Sequence, residues 1–460
     1  MEVNWRAISY YLNRVFYILG FSQLAPLTAS LLLGENTYFS VAIALSSLAT
    51  IAVGYFLGRV GTYAEITVTE AYVVVVVSFI VPSITCAVPL IARGIDPANA
   101  LFEGVSSITT TGLSALPTGS LSPGVHFLRA FYQWLGGFSI ALLVVSFFIS
   151  PGSAAHSLYA AHLGRFKISP LSTATVRALL TLYVAFTGLV AVSYLASGMG
   201  FFDSVVNALT TTSTGGFSTY AVFTGSTLYV ALVFMFVSAQ PLAIYYLVLK
   251  GRAKSIARDP QFAMFSLSVL AGFAAVSLAI GHFSAKLLFQ VVSALSTTGY
   301  TALDSSSLPE PAKLAFTAMM IMGACFGSTG GGLKQLRVYI VAKSIITWIH
   351  RQIAPSKAVI PVKIMGRALE DQEVMRVYTL TLMYIAVLLA SAFIVSLYGY
   401  SVADSLFEAA SALATTGLSV GISSPSLHLV PKAILAIDML LGRLEIIPVA
   451  VVLAKLLKSR

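Results

Sequence analysis

The sequence predicts an all-α integral membrane protein, with an N-terminal helical hairpin and four parallel helix–pore-loop–helix repeats around a central ion pore. Three observations carry that prediction. Of 460 residues, 57% are hydrophobic and only 10% charged, against about 25% charged in a typical soluble domain. Apolar runs of about twenty residues recur, the length a helix needs to cross a bilayer. Between them stand four Thr-rich turns: TTTGLSA at 109–115, STGGFST at 213–219, STTGYTA at 296–302 and ATTGLSV at 414–420. Internal repetition of this kind dictates the architecture.

The hairpin occupies residues 1–62, with apolar spans at 15–33 and 39–57. Arg6, Arg14 and Arg59 fall on one side, which places that side in the cytoplasm. An apolar start followed at once by a second span reads as a hairpin, not a signal peptide. Repeat one, 63–150, has an outer span at 71–91, a short segment at 99–108, the first turn, and a return span at 127–150. Ten residues make roughly 15 Å of helix, half of a core of about 30 Å. That segment must enter and come back.

Repeat two, 151–258, follows a linker carrying Arg165, Lys167 and Arg177. Its spans lie at 178–196 and 228–249, its short segment at 204–211, and a basic loop from Lys250 to Arg258 closes it. Repeat three, 259–350, has its span at 262–280, its short segment at 285–295 and a return from 312. GACFGSTGGG at 323–332 interrupts that return before the apolar pattern resumes at 333–349. Each Gly costs a helix about 1 kcal/mol relative to Ala, so the helix should break there. Repeat four, 351–460, opens with a polar connection at 350–376 and has spans at 378–397 and 429–457. This layout implies ten crossing helices and four re-entrant half-helices, with both chain termini cytoplasmic.

Composition narrows the function. Cys86 and Cys325 both sit in apolar context and offer neither a disulfide framework nor a metal cluster. The net charge of +10 lies mostly in alternate connections, as the positive-inside rule expects, and needs no nucleic-acid partner. No Ser–His or Cys–His pairing at depth suggests an enzyme. The Thr-Gly turns suit cation passage instead. A dehydrated cation must be met by a ring of oxygens, and backbone carbonyls supply them without a fixed charge that would trap it. Glycine lets a strand turn those carbonyls inward, and half-helix C-termini favour a cation in the cavity.

The stretches FEGVSSITTTGLS, FDSVVNALTTTSTGGFST, FQVVSALSTTGYT, FEAASALATTGLSVG, QWLGGFSI, GSTGGGLK and LLGRLEIIPV resemble the superfamily of Trk, Ktr and HKT potassium transporters. The leading hairpin is most similar to its TrkH-type membrane subunits. The resemblance spans nearly the whole chain. It implies potassium uptake across the plasma membrane through a channel-like pore, with potassium bound in a filter and rubidium and, more weakly, sodium as related ions. The filter residues it implies are Thr110, Thr111 and Gly112; Thr214, Gly215 and Gly216; Thr297, Thr298 and Gly299; and Thr415, Thr416 and Gly417. Gly216 aligns in the second repeat because an aromatic follows it, with Gly215 the other candidate. The family's potassium preference goes with Gly at all four places, and Ser at the first goes with sodium in plant relatives. It further implies a homodimer and a cytoplasmic, nucleotide-binding regulatory subunit resembling TrkA.

The same resemblance makes the Gly-rich break an intramembrane gate below the filter: Gly323, Gly327, Ser328, Thr329, Gly330, Gly331 and Gly332, together with Arg443. GSTGGGLK lacks the G-K-[ST] ending of a phosphate loop. Arg443 lies within the last span, where a charge is a functional hypothesis by default; it is read either as an electrostatic barrier or as an ion pair with Asp438 or Glu445. The lead-in residues Glu103, Asp203 and Glu408 are read as helix-dipole partners at half-helix N-termini, or as cation attractors at the outer mouth. The alternative function is an ion-coupled secondary cation transporter with discontinuous helices. Parallel repeats and scarce mid-membrane carboxylates count against it.

Overall fold

The computed structural model describes residues 4–143, 173–241, 259–355, 360–364 and 367–458. Helices α1 (Trp5–Ser22), α2 (Leu24–Leu32) and α3 (Thr37–Val60) form the hairpin. The step between α1 and α2 at Gln23 lies three residues before Pro26, whose ring displaces the carbonyl four residues back and removes one helical bond. Asn36 caps α3 by accepting from the Tyr38 N–H. Next comes α4 (Val68–Ala92), opened by a capping box in which Thr67 and Glu70 serve each other's backbone. Glu70 also accepts from the Asn4 N–H at 2.7 Å, which ties the hairpin to the first repeat.

Each repeat then follows one plan. In the first, α4 leads to the half-helix α5 (Pro97–Ile108) and the return helix α6 (Pro123–Leu143). In the second, α7 (Thr173–Ala196), α8 (Phe201–Thr212) and α9 (Gly225–Ser238) play the same parts. The third comprises α10 (Pro260–Ile280), α11 (Ala285–Leu295) and a return divided into α12 (Glu310–Met322) and α13 (Gln335–Ile353). The fourth comprises α14 (Asp371–Ser396), α15 (Val402–Leu413) and a return divided into α16 (Leu429–Leu444) and α17 (Ile446–Lys458).

Local chemistry starts the half-helices sharply. Asp96 accepts from two N–H groups of the first turn of α5, with Pro97 at the first position. Ser284 and Ser401 cap α11 and α15. Such caps satisfy N–H groups that have no intrahelical partner.

The ring closure is a matter of packing. Each half-helix lies between the span before it and the return helix after it. Each return helix also packs on the next half-helix: α6 on α8, α9 on α11, α12 on α15, and α16 back on α5. Four parallel units therefore close on themselves. The half-helices form the buried centre, while Val192, Leu267, Leu278 and Phe56 point outward and exposed. Six described helical spans are long and apolar enough to cross a membrane: 5–32 (α1 and α2 together), 37–60, 68–92, 176–196, 260–280 and 371–396. An apolar exterior around a polar-lined centre makes this a multi-pass membrane protein.

Two details differ from the sequence reading, and part of it lies outside the described residues. The last span is not one helix, because Glu445 takes a positive φ (59°) with an extended ψ (135°) and separates α16 from α17. The polar connection before repeat four contains a two-stranded antiparallel ribbon, β1 (Lys363–Ile364) and β2 (Arg367–Ala368). It buries Val362, Ile364 and Leu369 against Leu336, Ile340 and Phe326. The predicted parts of the return spans at 144–150 and 242–249, with Arg165, Lys167 and the loop Lys250 to Arg258, lie outside the described residues.

Candidate functional site

All four half-helices end alike. The helix stops four residues before Gly112, Gly216, Gly299 or Gly417. The next-but-one residue, Thr110, Thr214, Thr297 or Thr415, adopts a left-handed conformation with φ between 50° and 54°. In the first repeat the Thr110 N–H donates to Ser107 O and the Thr111 N–H to Ser106 O. The other three repeat this pair of bonds. That is a Schellman termination in which threonine stands where glycine is usual. A β-branched residue in this region costs of order 1–3 kcal/mol and persists only where the surroundings over-determine it. Four such residues at one level mark a functional feature.

Beyond each threonine a short non-helical strand runs along a four-membered ring. A Cβ placed on Gly112 would lie 2.3 Å from Gly215 O, and one on Gly216 would lie 2.1 Å from Thr298 O. On Gly299 it would meet Thr416 O at 2.0 Å, and on Gly417 Thr111 O at 2.3 Å. Each glycine thus touches the carbonyl of the next repeat, and the fourth touches the first. All four glycines have φ between 82° and 94°. Gly216, with this conformation, is the positional counterpart of the others, and Gly215 stands where the other strands have Thr111, Thr298 and Thr416.

Gly215 has its own reason. A Cβ there would fall 2.4 Å from the Gln133 side chain, which arrives from α6. Gln133 Nε2 donates to Gly215 O at 2.5 Å, and its Oε1 accepts from the Phe217 N–H at 3.2 Å.

Nine residues before each of these four glycines, a buried polar side chain fastens the strand from behind. Glu103 Oε1 accepts from Ser114 Oγ and the Ala115 N–H, both at 2.7 Å. Glu408 accepts from Ser419 Oγ and from the Val420 and Ser423 N–H groups. Gln290 Oε1 accepts from the Ala302 N–H at 3.0 Å. In the second repeat this place belongs to Asn207, whose Oδ1 accepts from Ser218 Oγ at 2.7 Å. Asp203, the residue picked out in the sequence, sits one turn earlier in the first turn of α8. The second repeat has the same length as the others once Asn207 is the reference.

Glu103 and Glu408 correct a second expectation. Both are the seventh residue of their half-helices and fully buried. They neither flank a helix N-terminus nor face the outer mouth. Glu103 forms an ion pair at 2.6 Å with Arg129, itself 1% exposed. The Arg129 guanidinium also lies 4.1 Å from the centre of the Phe217 ring in the next strand. Gln133 and Arg129 went unassigned in the sequence, although Gln133 opens the quoted QWLGGFSI. Their spacing of four residues, one helix face, was the available signal.

Below the ring lies the interrupted return of repeat three. After α12 the chain turns at Gly323, with φ 68°, and residues 323–334 pass directly under the half-helix ends. The Gly331 N–H donates to Thr297 Oγ1 at 2.6 Å, and the Gly332 N–H to Ala414 O at 3.1 Å. Thr329 Oγ1 donates to Thr212 O at 3.2 Å. Lys334 donates to Gly330 O.

Arg443, 3% exposed near the end of α16, donates to Thr329 O at 2.7 Å and to Gly136 O at 3.1 Å. Asp438 instead accepts from Ser391 Oγ, and Glu445 pairs with Arg337. Arg443 is therefore held by carbonyl dipoles and not by the carboxylates expected from the sequence. No group of three or more His, Cys, Asp or Glu among the described residues is placed to hold a metal ion.

Comparison with known proteins bears on what such a ring does. The family model described as TrkH, cation transport protein, matches residues 39–262 and 260–460. An uncharacterized cation transporter of Methanocaldococcus jannaschii is 27% identical over 98% of this chain and 95% of its own. The Trk system potassium uptake protein TrkH of Halomonas elongata is 28% identical over 98% of both chains. The crystal structure of the potassium transporter TrkH from Vibrio parahaemolyticus superposes with a TM-score of 0.84, covering 98% of this chain and 99% of that one at 24% identity.

Proposed function

We propose, from the premise that this chain belongs to the TrkH family of cation transport proteins, that it takes up potassium through the ring of four strands. The observation that carries this is a set of carbonyls with nothing to do. Among the described residues, the backbone oxygens of 110–112, 297–299 and 415–417 accept no hydrogen bond, and in 214–216 only that of Gly215 does. Buried carbonyls are almost always paired. Rings of unpaired ones suit a dehydrated cation. The buried hydroxyls of Thr110 and Thr415 also lack a partner, which fits a further oxygen layer at the base of the filter. Potassium is the cargo, and the protein is a transporter and not an enzyme.

In this reading residues 323–332 and Arg443 form a gate. The loop spans the exit below the filter, and Arg443 both fastens it and places a positive charge in the passage. The protein sits in the plasma membrane with both termini in the cytoplasm, as the Arg6, Arg14 and Arg59 side suggests. It works as a homodimer, regulated by a cytoplasmic nucleotide-binding subunit of the TrkA kind. Ion-coupled transport is disfavoured, because the buried carboxylates of Glu103 and Glu408 are taken up in fastening the strands.

Flux into liposomes tests the proposal. Purified protein should pass potassium and rubidium ahead of sodium. Gly112→Ser adds a Cβ against Gly215 O and should lower the potassium-to-sodium ratio about ten-fold, the equivalent of roughly 1.4 kcal/mol. An unchanged ratio in that variant would remove Gly112 from the filter.

A further inference from the structure

We propose that Gln133, on the return helix of the first repeat, sets ion preference by acting on the second repeat's strand. The inference rests on reading the four strands as a selectivity filter. Gln133 is fully buried and brackets Gly216 with two bonds, Nε2 to Gly215 O at 2.5 Å and Oε1 from the Phe217 N–H at 3.2 Å. The other three repeats carry threonine at the place of Gly215, and a Cβ there would collide with Gln133. One side chain delivered from behind has thus replaced another on the strand.

The replacement makes one layer of the ring unequal. Thr111 O, Thr298 O and Thr416 O keep both lone pairs free of protein donors among the described residues, whereas Gly215 O has given one to an amide. The positive end of the Gln133 N–H dipole rests against an oxygen that would otherwise serve only the ion. That lowers the field the layer offers a cation. A weaker field favours the larger ion with the less costly hydration shell, so Gln133 tilts the filter toward potassium and away from sodium.

Two variants separate this role from packing. Gln133→Leu removes the donor. Gln133→Ala with Gly215→Thr rebuilds in repeat two the arrangement of the other three, filling the space while freeing the carbonyl. Full-length protein in liposomes would be assayed for potassium, rubidium and sodium flux, with thermal unfolding on the same preparations. Both variants should lower the potassium-to-sodium ratio by about five-fold, the net worth of one hydrogen bond, and the double variant should unfold at the parental temperature.

A purely structural Gln133 predicts a different outcome. Gln133→Leu would then reduce stability and all fluxes together, and the double variant would restore both with the parental ratio; that result overturns the proposal. If Gln133→Leu does not fold, the double variant decides alone. Gly112→Ser runs alongside. Should it shift the ratio while the folded Gln133 variants do not, the inference fails and the filter reading stands. If none of the three shifts the ratio, the filter reading fails as well.

Discussion

Glu103 and Glu408 hold the same place in adjacent repeats of the ring, and their surroundings differ. Each is fully buried and fastens the strand that follows its half-helix. Glu103 does so as half of an ion pair with Arg129. Glu408 is met by dipoles alone among its hydrogen-bond partners: one hydroxyl and two backbone N–H groups. Gln290 and Asn207 do the same mechanical work as neutral amides. Fastening the strand therefore requires an acceptor and not a charge. The charge decides something else, namely how much field stands behind each quarter of the ring and what its removal leaves stranded.

Breaking the ion pair should have the largest effect. Arg129→Leu leaves Glu103 as an uncompensated buried charge, and stability should fall by about 3–5 kcal/mol. Thermal unfolding of the purified protein would measure it, and Arg129→Leu combined with Glu103→Gln should recover most of the loss. A single variant that unfolds at the parental temperature would erase the contrast between the two carboxylates.

Glu408→Gln should cost less, about 1–3 kcal/mol, because one of three donors then faces an amide N–H₂ with no cation left behind. Potassium flux should fall with it if the charge contributes to the field. Equal losses in Glu408→Gln and Arg129→Leu would show that the ion pair and the dipole cage are equivalent after all.

The smallest effect extends the contrast to a cation. Arg443 mirrors Glu408, a buried charge held by dipoles, here the carbonyls of Thr329 and Gly136. Arg443→Gln should raise potassium flux up to about ten-fold, since releasing the loop costs roughly one hydrogen bond to a charged group. Stability should change little. A destabilised variant with parental flux per folded molecule would end the barrier role.

Much of this is legible in the sequence. The apolar spans, the over-short segments and the four Thr-Gly turns predicted a parallel membrane ring, and the ring is present. The 323–332 break was also visible, because glycine runs cannot continue a helix. The second repeat was harder. A Phe-acid pair at Phe202-Asp203 imitates the lead-in of the other repeats, while Asn207 performs the function. An amide and a carboxylate accept the same hydrogen bond, so residue type does not reveal which one is in register. Likewise the Glu445 turn and the partners of Arg443 depend on contacts more than a hundred residues away.

By itself the sequence determined the membrane class, the repeat number and the Gly-ended turn after each half-helix. These follow from local causes: apolar length, capping and the backbone angles that glycine tolerates. Only the tertiary structure decided which of Gly215 and Gly216 occupies the common position, why the other lacks a side chain, and which buried charges are paired. Those answers come from Gln133, Arg129 and Arg443, side chains carried by the return helices, Gln133 and Arg443 reaching across repeat boundaries and Arg129 pairing within its own repeat. A pattern along the chain records what each segment can be; it does not record which neighbour fills the space beside it.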